Sequence, residues 1–563
     1  MHNNYIAGEW VASKEAVENR NPSDISDLIG QYAQATTAQL ETAIDAAAAA
    51  QKIWQATGLE ARQTALMKIG NALIDRADEL GELLSREEGK PRAEGRGEVY
   101  RAGQFFTYYA AEVLRQIGDN ADSVRPGIEI DVRRDPVGVV AVISPWNFPT
   151  ATAVWKIAPA LAFGNAVIWK PANLVPASAV ALTEIIADAG LPAGLFNLVM
   201  GAGSTIGDAL VSHPAIKAIT FTGSVETGRR IAAAAIGNMP RMQMEMGSKN
   251  ALVVMDDADI DLAVACAANG AFGGTGQKCT ASSRLIVHDA VHDEFVEKLV
   301  AATRAMTVGH ALEEGTQIGP VVSEGQLAAN LDYMDIARKE GGEVLCGGDR
   351  LTLSHDGYYM APAVIAGTGN DWRINREEIF APIACVIRAG SYDEALAIHD
   401  VVISSGGASD GVEDHTQAAM QAVGADCAFW RLAMKPGRPM AVGQKGKKLI
   451  FCLPGNPVAA FVCTKLLIMP LLTHLAGGVM TMPLKFSVPA GFSHKKAAGR
   501  AEYLRATITD SIDGQEIKLH GRKGAGVISS LTGADGLVEI PLENAGVEPG
   551  MPLAFLPFAD RAL

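Results

Sequence analysis

The stretch "VGVVAVISPWNFP" at 137–149 sets the fold class of this chain. Its unbroken apolar run ends in polar and turn-forming residues, as is typical of a strand buried on both faces. Three further apolar runs each lead through Gly, Pro or Ser into a helical pattern: "NAVIWKP" (165–171), "FNLVMG" (196–201) and "AIKAITFTGS" (215–224). This alternation predicts an α/β fold with a parallel sheet between layers of helices.

The regions outside these strands predict further elements. Residues 36–56 read as a helix that begins with a capping box of Thr36 and Gln39, and helical patterns continue to about 118. The alternating stretch 127–136, "GIEIDVRRDP", predicts a strand of a protruding hairpin. A second α/β pattern fills 250–398 and a third begins near 400. Residues 479–563 read as a small antiparallel barrel or sandwich.

Composition excludes several classes of function. The chain of 563 residues has a net charge of −15, which argues against nucleic acid or an anionic membrane as partner. Its seven cysteines form no CxxC pair and its histidines no HExxH motif, so neither a disulfide framework nor a bound metal is predicted. The apolar region 449–478 is interrupted by "PGNP" and Lys465, and we expect no membrane-spanning helix there. With no signal peptide visible, we expect a cytoplasmic protein.

The sharpest local feature is Cys279 in "GGTGQKCTASS" (273–283). A turn rich in Gly, Thr and Ser leaves a sulfur reachable, as a nucleophile requires. A buried structural cysteine more often lies in an apolar run, as Cys266 does in "LAVACAANG". Local context leaves both readings of Cys279 open, a nucleophile and a small apolar filler.

Two polar residues could assist such a nucleophile. Glu245 lies in the apolar patch "MQMEMGSKN" (242–250), where desolvation would make it a stronger base. Asn147 follows the strand at 137–144 and could donate its side-chain amide to an oxyanion. The alternatives are a salt-bridged glutamate and an asparagine that shapes a turn.

A third motif, "FTGSVETG" (221–228), follows a strand and opens a helix. Gly223 allows close approach of the backbone, and a helix N-terminus favours phosphate. Its spacing is GxxxxG rather than the dinucleotide fingerprint GxGxxG, and the similar "MGAGSTIG" (200–207) also misses it. Alone, this motif is a weak signal for a nucleotide.

Six motifs together resemble the aldehyde dehydrogenase superfamily over residues 1–398, and they occur in the order of that family: "PWNFP", "WKPAN", "FTGSVETG", "EMGSKN", "GQKCTASS" and "EEIFAP". Within the superfamily, "SPWNFP", the wording around Cys279 and the N-terminal "NYIAGEW" look most like α-ketoglutaric semialdehyde dehydrogenases. The resemblance implies a Rossmann-type cofactor domain followed by an α/β catalytic domain.

The resemblance also implies a mechanism. Cys279 attacks the aldehyde to form a thiohemiacetal, Asn147 and the Cys279 backbone amide hold the oxyanion, and hydride transfer to NADP or NAD leaves a thioester. Glu245 activates the water that hydrolyses it. The residues implied to bind the cofactor are Trp146, Lys170, Asn173, Gly223, Ser224, Gly228, Glu378 and Phe380. Those implied to contact the aldehyde are Phe148, Trp155 and Thr280.

Two positions differ from common family members. Asn173 stands where NAD-preferring members often carry Glu, whose carboxylate would repel a 2′-phosphate. A neutral side chain removes that repulsion, so we predict that NADP is accepted. Ala381 replaces the usual Gly of the "EEIFGP" motif, a change of one methyl group.

After residue 398 the expected family continuation is missing. Residues 400–563 instead resemble molybdopterin molybdenumtransferases through four ordered motifs: "SSGGASDGVED" (404–414), "FWRLAMKPGRP" (429–439), "LPGNPVAA" (453–460) and "GRAEYLRA" (499–506). This resemblance implies molybdopterin and Mg as ligands of the C-terminal fragment. It implies that the pterin phosphate and molybdate face Ser405, Gly406, Gly407, Ser409, Asp414, Arg431 and Lys435.

The chain thus reads as two incomplete proteins joined near His399. We predict an NAD(P)-binding domain at 1–245 with an oligomerisation hairpin at 120–136, a C-terminally truncated catalytic domain at 246–398, a partial molybdopterin-binding domain at 399–478 and a β-barrel-like domain at 479–563. Aldehyde oxidation is the leading function, with a homo-oligomer expected if the missing C-terminal strand is compensated. The alternatives are a molybdenum-cofactor module and an inactive fusion product, in which missing strands expose sheet edges.

Overall fold

The computed structural model describes residues 1–115, 119–122, 129–391, 401–405, 424–430, 432–438, 440–446, 448–454, 456–475, 479–480, 482–511, 514–520, 531 and 534–558. The chain divides into two compact units, Met1–Ser391 and Tyr392–Leu563.

The strands of the first unit are β1 (Asn4–Ile6), β2 (Glu9–Val11), β3 (Ala16–Asn21), β4 (Asp24–Ala33), β5 (Asp119–Asp122), β6 (Glu129–Val132), β7 (Val139–Ile143), β8 (Ala166–Lys170), β9 (Phe196–Leu198), β10 (Ile216–Gly223), β11 (Arg241–Met246), β12 (Ala251–Val254), β13 (Arg284–His288), β14 (Glu343–Cys346), β15 (Ala363–Ala366) and β16 (Ile383–Ala389). Its helices are α1 (Thr37–Ala56), α2 (Leu59–Asp75), α3 (Ala77–Glu88), α4 (Arg92–Glu112), α5 (Ala151–Ala162), α6 (Pro176–Ala187), α7 (Asp208–Ser212), α8 (Val225–Ala235), α9 (Ile260–Phe272), α10 (Asp289–Arg304), α11 (Glu324–Glu340) and α12 (Arg373–Arg376).

A seven-stranded sheet, in the order β11–β10–β7–β8–β9–β1–β2, forms the centre of the first unit. Strands β7 to β11 pair in parallel, and β1 joins β9 antiparallel. The four apolar runs of the sequence are β7 to β10, so the predicted parallel α/β sheet is confirmed. Parallel strands end at one edge of a sheet, which brings the residues after β7, β8 and β10 together with the end of β11.

Helix α1 shows how local sequence sets an element. The Thr36 side chain accepts from the Gln39 backbone, and the Gln39 side chain accepts from the Thr36 backbone. This is the predicted capping box. The helix then buries an alanine-rich face with Ile44 and Trp54, and the Trp54 indole donates to the Leu161 carbonyl at 2.7 Å.

A second, five-stranded sheet has the order β12–β13–β16–β15–β14. All its pairs are parallel except β14 with β15. In the described part of the chain, β11 and β12 each end a sheet with one neighbouring strand. Val253 on β12 and Leu262 on the following helix are exposed.

Strands β5 and β6 pair antiparallel, with Asp119 opposite Val132. This pairing lies at the predicted hairpin. The side chains of Ile130 and Val132 on β6 are exposed. The oligomerisation role of the hairpin stays a prediction.

The second unit contains the strands β17 (Val401–Ser405), β18 (Asp426–Trp430), β19 (Met434–Lys435), β20 (Ala441–Lys445), β21 (Lys448–Leu453), β22 (Phe486–Pro489), β23 (His494–Lys495), β24 (Ala501–Ser511), β25 (Gly514–Leu519), β26 (Gly536–Ile540), β27 (Gly546–Val547) and β28 (Pro552–Pro557). Its helices are α13 (Pro457–Cys463) and α14 (Met469–Leu475), joined by a π-helical turn over Thr464–Ile468.

Two sheets organise this unit. One has the order β17–β21–β20–β18, with β17 parallel to β21. The other has the neighbour order β22–β28–β26–β24–β25. A bridge between Ala490, just after β22, and Ile517 of β25 joins the two ends of this order. Gly491 donates to the Ile517 carbonyl at 2.9 Å. The ring encloses its own apolar core, and the predicted small C-terminal β-domain is confirmed.

The interruptions expected in the apolar region of this unit do not break its helix. The run Val458–Leu475 is a single helix, long and apolar enough by length and composition to cross a membrane. "PGNP" only precedes it, and Lys465 does not interrupt it because its ammonium donates to the Phe558 carbonyl at 3.2 Å. A core helix of a soluble protein passes the same test, and this one packs Val458, Val462 and Ile468 into an apolar cluster.

Candidate active site

The loop before Cys279 has an unusual backbone. Gly274, Thr275 and Gly276 all have positive φ, at 60°, 57° and 67°. A β-branched residue rarely adopts this conformation, which costs free energy unless neighbours impose it. Here Thr275 is fully buried and donates to the Gly319 carbonyl at 3.1 Å. A Cβ on Gly276 would lie 2.1 Å from the Ala381 carbonyl oxygen, so only glycine fits there.

This loop leaves Cys279 exposed, as the sequence predicted for a reachable sulfur. Its carbonyl accepts from the Asn250 amide at 2.8 Å and lies 3.4 Å from the Ser248 hydroxyl. That hydroxyl also donates to the Asn250 Oδ1 at 2.9 Å. The loop is therefore held from both sides. Cys266, which the sequence placed among the buried cysteines, is also exposed, because it lies on the outer side of α9.

Asn147 is buried beside this loop. Its amide nitrogen donates to the Gln277 carbonyl at 2.9 Å, two residues before the cysteine. An amide nitrogen carries two hydrogens, so the second can serve another acceptor. Gln277 is fixed in turn, because its side-chain oxygen accepts from the Val322 backbone at 3.0 Å. The Asn147 side chain thus meets the Cys279 loop at Gln277, 130 positions further along the chain.

The surroundings of the Cys279 thiol disfavour its ionised form. Desolvation by neighbouring atoms raises its pKa, and the carboxylates of Glu378 and Glu245 raise it further. Backbone amides of the loop oppose the shift. The thiolate is the nucleophilic form, so its reactivity increases with pH into the alkaline range.

The predicted environment of Glu245 is wrong in this structure. The residue is exposed, so it lacks the desolvation that the apolar patch suggested. The physical reason is that β11 has one neighbour, β10, and no other described strand pairs with its second edge. The Glu245 carboxylate accepts from the Gln243 amide at 2.6 Å and faces solvent.

Lys156 on α5 is a residue that the sequence did not reveal. Its side chain is buried and donates to the Thr220 hydroxyl at 3.0 Å and to the Gln243 Oε1 at 3.2 Å. Burial lowers its pKa to about 8, and Glu245 nearby opposes the shift. The run "VWKIAPA" gave no signal because a lysine beside tryptophan reads as a residue of a helix surface.

Lys170 and Ser224 lie at the carboxyl ends of β8 and β10. Lys170 is buried, and burial lowers its pKa to about 8. Among the described residues its ammonium has one hydrogen bond, to the Pro171 carbonyl at 3.3 Å. Two of its three donors can therefore serve a ligand. Ser224 caps α8 by accepting from the Thr227 amide at 3.2 Å.

The glycines of this motif serve close packing. A Cβ on Gly228 would lie 2.6 Å from the Met246 sulfur, and one on Gly223 would lie 2.6 Å from the Phe221 ring. Asn173, in the loop between β8 and α6, is exposed. A buried unpaired ammonium, a helix N-terminus and an uncharged amide along one edge fit the phosphates and ribose hydroxyls of a dinucleotide.

Glu378 reaches the same edge from the second sheet. Its carboxylate accepts from the Ser248 backbone at 3.3 Å, and a Cβ on Gly247 would lie 1.6 Å from it. Burial raises its pKa, which the Ser248 hydrogen bond and the charge of Lys249 oppose. Phe380 has a φ of 60° and packs edge-on against Trp146, with ring centroids 5.7 Å apart.

The residues predicted to contact the aldehyde lie in three places: Phe148 after β7, Trp155 on α5 and Thr280 beside Cys279. Phe148 is partly buried under the Lys90 ammonium, which is 4.0 Å from its ring centroid. Trp155 is 41% exposed and stands edge-on to Phe105. Thr280, next to the cysteine, is exposed.

The alternative molybdopterin site is visible in two residues. Ser405 ends β17 opposite Leu453 of β21. The Lys435 ammonium is 3.2 Å from the Glu502 carboxylate, which also accepts from His494 at 2.8 Å, so its charge is already paired. The remaining predicted ligands lie outside the described residues: Gly406, Gly407, Ser409, Asp414 and Arg431. The described part of the chain thus shows no cradle for the pterin, and it contains no group of three or more His, Cys, Asp or Glu side chains that could hold a metal.

The fold is thus an α/β fold whose parallel sheet places Asn147, after β7, against a loop with an exposed cysteine. Residues 10–408 match the aldehyde dehydrogenase family. The chain belongs to the aldehyde dehydrogenase family and is an oxidoreductase that acts on aldehydes. Residues 386–474 match the family described as "Probable molybdopterin binding domain", and 487–558 match the MoeA C-terminal region, domain IV. Both predicted resemblances are confirmed.

Named relatives support the first match. An α-ketoglutaric semialdehyde dehydrogenase of Bacillus subtilis is 40% identical over 70% of this chain and 82% of its own length. An α-ketoglutarate semialdehyde dehydrogenase of Haloferax volcanii is 38% identical over 74% of this chain and 86% of its own. The crystal structure of betaine aldehyde dehydrogenase from Staphylococcus aureus in complex with NAD+ superposes with a TM-score of 0.70 at 31% identity, covering 75% of this chain and 85% of that one.

Proposed function

We propose that this chain oxidises α-ketoglutaric semialdehyde, or a similar anionic semialdehyde, to the acid with NADP or NAD. The names of the Bacillus and Haloferax relatives support this substrate. The observation that carries the chemistry is the 2.9 Å hydrogen bond from the Asn147 amide to the Gln277 carbonyl. It links the amide donor to the cysteine loop, as acyl chemistry at a thiol requires.

In the first half of the reaction, the Cys279 thiolate attacks the aldehyde carbon. The oxygen of the thiohemiacetal then carries negative charge. In this mechanism the free hydrogen of the Asn147 amide and the Cys279 backbone amide donate to that oxygen and stabilise it. A bound NADP or NAD would supply the hydride acceptor, and loss of hydride from the thiohemiacetal carbon leaves the Cys279 thioester.

In the second half, Glu245 takes a proton from the water that hydrolyses the Cys279 thioester. Its exposure gives water free access. Lys156, which shares Gln243 with Glu245 as a hydrogen-bond partner, holds this end of β11 in place. Lys170, Ser224 and Glu378 would hold the cofactor.

The domain limits and the assembly are proposals of the same kind. We assign cofactor binding to 1–245 and the cysteine chemistry to 246–398. We infer a cytoplasmic homo-oligomer that uses the hairpin β5–β6, whose exposed Ile130 and Val132 offer an apolar contact.

The experiment is an assay of the full chain with α-ketoglutaric semialdehyde and with a neutral aldehyde, following NADPH and NADH separately. Cys279→Ala should reduce turnover at least about 10⁴-fold, since the nucleophile is lost. Cys266→Ala is the matched control, an exposed cysteine outside the site, and should change turnover by less than about twofold. Turnover that survives Cys279→Ala would contradict the mechanism, and a preference for the neutral aldehyde would contradict the substrate.

Two alternatives have observations in their favour. The matches over 386–474 and 487–558 favour a molybdopterin-binding module, which titration of the chain with molybdopterin in the presence and absence of Mg would test. The uncovered strands β11 and β12 favour an inactive fusion product. Folded chain without turnover of any aldehyde would support that reading.

A further inference from the structure

A buried ion pair lies behind the Asn147 loop. Lys90, between α3 and α4, has a side chain that is 3% exposed. Its ammonium is 2.7 Å from a Glu98 oxygen, 2.6 Å from the Asn147 carbonyl oxygen and 4.0 Å from the Phe148 ring centroid. All three donors of the ammonium thus have a partner, so its geometry is fixed.

Glu98 extends this contact to the next helix. Its second oxygen accepts from the Thr150 and Ala151 backbone amides, at 2.9 and 3.0 Å. These amides belong to the start of α5, where a carboxylate is favoured. The ion pair therefore binds the chain at the Asn147 carbonyl and again at the Thr150 and Ala151 amides.

The same stretch of chain reaches the Cys279 loop. Glu94, one turn before Glu98, accepts from the Gly274 backbone at 3.2 Å. A Cβ on Gly319 would lie 1.8 Å from the Gly89 carbonyl oxygen, and Gly319 in turn accepts from Thr275. Residues 88–98 are thus a common support for both loops.

Charge around the pair favours one arrangement. Burial raises the pKa of Glu88 to about 8, with Lys90 opposing and Glu98 adding to the shift. The Lys90 ammonium is 2.7 Å from a Glu98 oxygen and 3.9 Å from a Glu88 oxygen, so Glu98 is its closer partner. Burial lowers the pKa of Lys90, but the carboxylates of Glu88 and Glu98 outweigh burial and raise it.

We infer that Lys90 and Glu98 are a positioning pair, which holds the Asn147 loop so that its amide faces the Cys279 loop. Neither side chain contacts Cys279 in the described structure. They act through the Asn147 backbone and through the first turn of α5. This inference rests on the proposed oxyanion role of Asn147.

The test is a double-mutant cycle in the full chain. Lys90→Met with Glu98→Gln removes both charges but keeps side-chain length and an oxygen for Thr150 and Ala151. We expect kcat to fall about 100-fold with KM changed less than about threefold, because misplacement of an amide by about 1 Å costs that much. In an Asn147→Ala background the same two changes should alter kcat less than about twofold, since they act through Asn147.

The matched control removes an exposed ion pair between α3 and α4. Arg96 and Asp78 lie 2.6 Å apart on the surface, and Arg96→Met with Asp78→Asn should leave kcat within about twofold. An equal loss of kcat in both backgrounds would overturn the inference, because the pair would then be merely structural. So would a loss no larger than that of the control.

A second measurement does not need turnover. Amide hydrogen exchange in the folded double variant should be at least about tenfold faster at Thr150 and Ala151, whose partner has lost its ion pair. Exchange at these amides in the control variant should be unchanged. If the double variant does not fold, Glu98→Gln alone is read the same way. Unchanged exchange at Thr150 and Ala151 in the variant overturns the positioning role. If the unsubstituted chain shows no turnover but exchange in the variant is faster, only the proposed function is overturned.

Discussion

The Cys279 loop and strand β11 both carry residues of the proposed site, yet they are held in opposite ways. The cysteine loop has a strained backbone that Thr275, Asn250 and Gln277 fix from several sides. Strand β11 has one neighbouring strand in the described structure, and its Glu245 is exposed. The difference indicates that the acylation half of the site is preorganised, whereas the hydrolytic half depends on solvent.

The largest expected effect separates these halves. Glu245→Gln keeps the size of the side chain but removes the base, so steady-state turnover should fall about 10²- to 10⁴-fold. The first turnover should stay fast, because attack by Cys279 does not use Glu245. Stopped-flow measurement of NADPH would show a burst of about one equivalent per site and then a slow rate.

Gln243→Glu is not a suitable control because Gln243 contacts both Glu245 and Lys156. Glu60→Gln, in the exposed first turn of α2, changes a carboxylate outside these contacts and should leave both phases within about twofold. If Glu245→Gln slowed the burst and the steady state equally, the division between the two halves would be wrong.

A smaller effect is expected from the amide donor. Asn147→Ala should lower the rate of the burst about 100-fold, because one donor to the oxyanion is lost. The substitution also removes the hydrogen bond to Gln277, so the amide exchange of the loop must be measured beside the rate. A burst that is unchanged by Asn147→Ala would leave the cysteine loop without its proposed partner.

The smallest effect concerns the charge near the thiol. Among the charged groups near Cys279, Glu378 has the largest effect on the thiol pKa, which it raises. Glu378→Gln should therefore lower that pKa. The sign follows because the thiolate is repelled by a carboxylate, and its removal increases the thiolate fraction at any pH below the pKa. Alkylation of Cys279 by iodoacetamide, measured against pH without cofactor, should therefore have its midpoint at lower pH.

Glu377→Gln is the matched control for this shift. Glu377 is the preceding carboxylate, but it is paired with Arg373 and Tyr333. Glu377→Gln should leave the pH midpoint of Cys279 alkylation unchanged. Equal shifts in both variants would mean that the thiol responds to the overall charge of the loop rather than to Glu378.

The sequence could predict those parts of the fold that depend on local patterns. Buried parallel strands need continuous apolar runs, so β7 to β10 were visible, and with them the loops that carry Asn147, Lys170 and Ser224. The turn around Cys279 was visible because its glycines are required by positive φ. Motif order then joined loops that are far apart in the chain.

Burial could not be predicted in the same way. Lys90, Glu98 and Lys156 look like charges of solvated helix faces, and only the packing of α4 and α5 shows that they are buried. Glu245 and Cys266 show the opposite error, because the sequence suggested that they are buried and both are exposed. Apolar neighbours in sequence suggest burial, but exposure depends on whether another element covers the strand or helix.

The most direct test of the central claim is the detection of an acyl group on Cys279. The full chain is mixed with α-ketoglutaric semialdehyde and NADP or NAD, quenched in acid during the burst, and digested for mass spectrometry. The account predicts one acyl group on the peptide that contains Cys279, present only when aldehyde and cofactor are both added and increased by Glu245→Gln. Acid product formed at full rate with no acyl group on Cys279 would contradict it.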